Sequence, residues 1–75
     1  MDAGKTGAYL AALRKARGMT QQEAADQMGV SNKTVSKWEN GAGLPDITVL
    51  PALAELYGVT ADDILAGETL RGRPA

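Results

Sequence analysis

Five times along these 75 residues, a side chain suited to opening a helix is followed within a dozen positions by a glycine suited to closing it. Ser, Thr and Asp accept hydrogen bonds from N–H groups that the first helical turn leaves unpaired. Glycine takes the left-handed conformation that ends many helices. Punctuation this dense confines the chain to short helices. No segment alternates apolar and polar residues as a half-buried strand would, so the expected fold is all-α, a compact arrangement of five helices.

The first helix is expected from about Gly7 to Arg17, opened by Thr6 or Gly7, striped with Leu10, Leu13 and Ala16, and stopped by Gly18. Thr20 and Glu23 have the spacing of a capping box and open a second helix that runs to about Met28, before Gly29. Val30 plugs the turn, and Ser31 caps a third helix reaching Glu39, before Asn40-Gly41. After the loop Ala42-Gly43-Leu44-Pro45, either Asp46 or Thr48 caps a fourth helix with Leu50, Leu53, Ala54 and Tyr57, ending at Gly58. Pro51 favours Thr48, because proline is tolerated only where its missing N–H has no partner to lose. Thr60 and Asp63 open a fifth helix containing Ile64 and Leu65, closed by Gly67. The organisation expected is a flexible N-terminus over residues 1–5, a domain over 6–67 and a tail over 68–75.

A chain of this length has room for one core, and 44% apolar with 23% charged residues is a globular balance. It contains no Cys and no His, which removes thiolate nucleophiles, disulfides, the usual general base and the commonest metal ligands. The expectation is a non-enzyme without cofactor or metal. Asp62-Asp63 point about 100° apart on a helix and read as cap and surface residues. Gly4-Lys5-Thr6 lacks the upstream glycine of a phosphate-cradling loop. No run of about 18 apolar residues and no apolar leader is visible, so a cytoplasmic setting is expected. The formal net charge of −1 is unevenly spread. Residues 1–41 carry six cations against four anions, net +2, and residues 42–75 carry two against five, net −3. Only the first half suits a polyanion.

Within that half, Gln21 to Asn40 read QQEAADQMGVSNKTVSKWEN. Ala25 is small where a second helix must cross closely, Gly29 permits a tight turn, and Val35 and Trp38 place apolar bulk on one side of the third helix. On these residues, with Met19-Thr20-Gln21, Val35 to Gly41 and Tyr57-Gly58-Val59, the chain resembles the helix-turn-helix family of phage repressors and Cro from about Leu10 to Gly67. Ala24 departs from the family's usual Leu, which implies an underfilled core beneath the second helix. The resemblance implies a lambda-repressor-like fold and a sequence-specific transcriptional regulator, of the repressor type, that binds double-stranded DNA.

On a helical wheel of about 100° per residue, Asn32, Ser36, Lys33 and Lys37 fall at about 0°, 40°, 100° and 140°, while Trp38 and Val35 fall at about 240° and 300°. One side packs and the other is offered outward. Taken alone, such a quartet reads as a plain solvated face, as most such quartets on helices are. The resemblance makes it the base-reading surface, since matching family positions face the major groove. Lys33 and Lys37 can then donate to guanine and Asn32 can pair with adenine. It also implies phosphate contacts for Gln21 and Asn40, with Lys5 among the nearby cations, and a bridge between Arg14 and Glu39 that ties the first helix to the third. Without it, Gln21 is a solvated first-turn residue and Asn40 a C-cap. Trp38 reads as core rather than as a stacking platform for a base.

The family commonly binds near-palindromic operators as homodimers, with half-sites about 34 Å apart. Leu44, Ile64 and Leu70 are candidate interface residues. Arg71-Gly72-Arg73-Pro74 is similar to a minor-groove hook, but an ordinary terminus or linker explains it with fewer assumptions. The alternative to DNA binding is a protein-interaction or antitoxin-like module built on the same fold.

Overall fold

In the computed structural model, which describes residues 2–70, the punctuation resolves into α1 (Ala3–Ala16), α2 (Gln21–Met28), α3 (Asn32–Glu39), α4 (Leu50–Tyr57) and α5 (Ala61–Ala66). A single 3-10 turn, Ile47–Val49, precedes α4, and the described residues include no strand. The fold is all-helical, as expected.

Local chemistry sets most of the ends. The Thr20 hydroxyl accepts from the Glu23 N–H at 3.0 Å while the Glu23 carboxylate accepts from the Thr20 N–H at 2.9 Å, and Thr60 with Asp63 repeats the arrangement at α5. Ser31 caps α3 through the Thr34 N–H at 3.1 Å. Gly29 ends α2 with φ of 70°, a value that costs glycine nothing.

Two starts differ from expectation. α1 begins at Ala3, capped by the Asp2 carboxylate on the Lys5 N–H at 2.9 Å, so residues 3–5 are helical rather than a flexible N-terminus. Thr6 is no cap, because its buried hydroxyl donates to the Ile64 carbonyl at 2.9 Å and joins α1 to α5. Before α4, Asp46 and not Thr48 accepts the capping bonds, from the Thr48 N–H and hydroxyl, both at 2.9 Å. The intervening 3-10 turn lets the chain start there without loss, since Pro51 falls at the second position of α4, where no N–H is required.

The core gathers Leu10, Ala25, Val35, Trp38, Leu50, Leu53, Ala54, Tyr57 and Ile64. α1 packs on α3 and α5, α2 on α3 and α4, and α4 on α5. Ile64 is 0% exposed, so it closes the core and is unavailable to a partner, whereas Leu44 is 42% exposed. Leu65, next to Ile64 on α5, faces outward at 38% exposure. Ala24 is sealed from solvent, and a groove of about 230 Å³ lies one turn further along α2, beside Met28 and Leu56.

The expected tail starts later than residue 68. The Asp63 side chain is buried, not at the surface, and its carboxylate accepts from the Leu70 N–H at 2.8 Å. The Tyr9 hydroxyl lies 2.9 Å from that of Thr69, so residues 68–70 belong to the fold. The Arg71-Gly72-Arg73-Pro74 segment lies outside the described residues.

Candidate nucleic-acid interface

α2, a short turn and α3 form the unit that carries most of the candidate site residues. Val35 and Trp38 are buried, which fixes the roll of α3 about its own axis. Asn32, Lys33 and Lys37 are consequently exposed and Ser36 is half-buried. Among the described residues neither lysine is held in an ion pair. Within α3 the one carboxylate, Glu39, is turned into the protein and only 5% of its side chain is exposed.

The turn after α3 is tied back onto the helix. The Asn40 backbone N–H donates to the Ser36 carbonyl at 2.9 Å, and its side-chain amide donates to the Ser36 hydroxyl at 3.2 Å. Ser36 is therefore coupled to Asn40 as well as standing among the outward residues, a link that the helical wheel does not reveal. The start of α1 borders this turn, with Gly4 Cα 3.1 Å from where a Cβ on Gly41 would sit. That places Lys5 on the same edge of the molecule. Its ammonium group already pairs with Glu68 at 2.8 Å, both side chains being about half exposed.

Behind the outward face lies a polar cluster. Arg14 donates through Nε to Glu39 Oε2 at 2.8 Å and through Nη2 to Glu39 Oε1 at 2.9 Å, a two-pronged pair with side chains 11% and 5% exposed. Arg14 Nη1 also donates to the Met19 carbonyl at 2.8 Å, so one guanidinium secures the start of the α2 segment and the end of α3 together. Gln21, the first residue of α2, donates from Nε2 to Glu39 Oε1 at 3.0 Å. The bridge between Arg14 and Glu39 is thus present. The bond from Gln21 was invisible to sequence reasoning, because a separation of 18 residues leaves no periodic trace.

Burial pushes the Glu39 carboxyl upward, but hydrogen bonds from Arg14 and Gln21 and the charges of Arg14 and Lys15 outweigh it, so it is held below the ordinary carboxylate range. A lowered folded-state value means that this carboxylate stabilises the fold fully above its unfolded value near 4.5, and that the contribution vanishes as pH falls through the lower folded value. Acid titration followed by circular dichroism is expected to show this loss, and Glu39→Gln to flatten that part of the curve. An unchanged acid limb in the variant would contradict the assignment.

Among the described residues no group of His, Cys, Asp and Glu is placed to hold a metal, and no helix is long and apolar enough to cross a membrane.

The family profile described as "Helix-turn-helix" matches residues 10–64. The HTH-type transcriptional activator BcrR of Enterococcus faecalis is 40% identical over 58 residues, covering 77% of this chain and 28% of that protein. The cryptic phage CTXphi transcriptional repressor RstR of Vibrio cholerae is 36% identical over 55 residues, covering 73% of this chain and 49% of that protein. The chain therefore spans between about a quarter and a half of the length of these relatives. Among solved structures, the clp gene regulator ClgR from Corynebacterium glutamicum superposes with a TM-score of 0.79 and 25% identity, over 89% of this chain and 71% of that one. With the profile spanning most of the chain and the fold agreeing, this chain belongs to the helix-turn-helix family of the Cro and phage-repressor type.

Proposed function

We propose that this domain binds double-stranded DNA sequence-specifically as a non-enzymatic transcriptional regulator of the repressor type, reading the major groove with α3. One observation carries the reading: a helix anchored by Val35 and Trp38 exposes Asn32, Lys33 and Lys37 with no acidic residue among them. B-DNA's major groove admits an α-helix, and these side chains match its acceptor and donor pattern. Lys33 and Lys37 donate to guanine O6 or N7, Asn32 pairs with adenine, and Ser36 contributes a hydroxyl at the edge of the same face. Gln21 and Asn40 contact phosphates and fix the register. Lys5 joins them by exchanging Glu68 for a phosphate, a change that costs little because the existing pair is solvent-exposed. Two copies bind the halves of a near-palindromic operator, since one recognition helix covers few base pairs.

The decisive experiment is selection of bound sites from random duplex DNA, followed by a salt series on the winning site. The logarithm of affinity should fall with the logarithm of salt by about 0.9 per neutralised phosphate. Salt-insensitive association with a protein, and no enriched sequence, would favour an interaction module instead. Lys37→Ala should cost about 1–3 kcal/mol of binding and relax preference at one base position. A uniform loss across all sequences would make Lys37 a phosphate contact.

A further inference from the structure

The bond between Gln21 and Glu39 does more than complete the ion pair beside it. Arg14 already donates to both carboxylate oxygens, and the added bond from Gln21 Nε2 to Oε1 joins the first residue of α2 to the last residue of α3. Gln21 is only half-buried, so water could have served its amide, and ordering a long side chain carries an entropic cost. A carboxylate has acceptors only. The glutamine must therefore turn its NH2 group toward Glu39, and one of the two rotations of the amide about its last bond is excluded. One N–H is held by Glu39, and the residue that carries the other stands at the first position of α2, the end of a helix that favours an anion.

We infer that Glu39 is a positioning residue for DNA binding: it holds the Gln21 amide in the rotation that aims its free N–H at a backbone phosphate. This rests on the DNA-binding reading above and adds a role to a residue that does not itself face the duplex. An uncharged amide at position 39 would offer a single oxygen, for which Arg14 outcompetes Gln21, and would present its own NH2 to the Gln21 NH2. Gln21 would then turn over or swing free.

The test is a double-mutant cycle on affinity for the selected duplex, with Gln21→Ala, Glu39→Gln and the pair. Each single change should weaken binding about tenfold, and the pair should be no more than about twofold weaker than either. Losses that multiply would mean that Glu39 acts only by supporting the fold, which overturns the inference while leaving DNA binding intact. Failure of the unaltered protein to bind any duplex would overturn the DNA reading and this inference with it. Should Glu39→Gln unfold, the unaltered protein still decides. Side-chain amide NMR should show the Gln21 NH2 immobilised relative to that of Gln27, and shifting as Glu39 is protonated. A Gln21 amide as mobile as that of Gln27 would overturn the proposal.

Discussion

Arg14→Ala is expected to lower folding stability by about 3–5 kcal/mol, the range for removing one partner of a buried ion pair. A domain of this size has on the order of 4–11 kcal/mol in all, so the variant should approach the edge of folding at ambient temperature. The loss comes less from the attraction itself than from what remains. Glu39, with 5% of its side chain exposed, would keep its charge with the Gln21 amide as its remaining bonded neighbour, and the Met19 carbonyl would lose its donor. The bridge between Lys5 and Glu68 has the same 2.8 Å separation but is about half exposed, and Lys5→Ala should cost no more than about 1 kcal/mol. Burial, not distance, separates the two cases. Urea denaturation measures both. As pH falls, the deficit of Arg14→Ala relative to the unaltered protein should narrow, because protonated Glu39 has no charge left for Arg14 to compensate. A deficit that stays constant into acid would mean that Arg14 works through packing of its stem rather than through the pair.

Gly7→Ala is the second large expected effect, and its sign is the informative part. Gly7 lies within α1, where helix propensity alone would have alanine stabilise by about 1 kcal/mol. A Cβ at that position would run into the backbone carbonyl of Trp38 and lie 2.9 Å from that of Glu39. Backbone cannot rotate aside as a side-chain tip can, so α1 would have to lift off the end of α3, pulling on the Thr6 and Arg14 bonds. A net loss of about 2–3 kcal/mol is expected, in the range of overpacked sites. Gly4→Ala supplies the control within the same helix. Its Cβ would meet only the Asp2 carboxylate at 3.4 Å, so propensity should win and stability rise by up to about 1 kcal/mol. Thermal melts of the two variants moving in the same direction would refute the steric account. Because Trp38 and Glu39 lie in α3, the Gly7 variant should also weaken DNA binding more than Gly4→Ala does.

What could be read directly from the chain was whatever depends on residues within one or two helical turns of each other. The capping boxes at Thr20 and Thr60 are spacings of three, the glycine stops are single-residue conformational facts, and the roll of α3 follows from where Val35 and Trp38 recur. The expectation that Asn32, Lys33, Ser36 and Lys37 read bases rests on the family resemblance, because a polar helical face by itself does not say what it meets. Whatever depends on residues distant in sequence was decided by the assembled fold. Thr6 has the side chain of a cap, but the arrival of α5 gives its hydroxyl the Ile64 carbonyl instead. Ile64 and Leu65 are alike in composition and opposite in burial, since only the packing of α5 against its neighbours sets which of them turns inward. Gln21 meets Glu39, and Gly7 meets the end of α3, only when three helices have docked. Local order follows from short-range hydrogen bonding and the helical repeat, whereas the connections behind the outward face of α3 depend on distances that no one-dimensional pattern encodes.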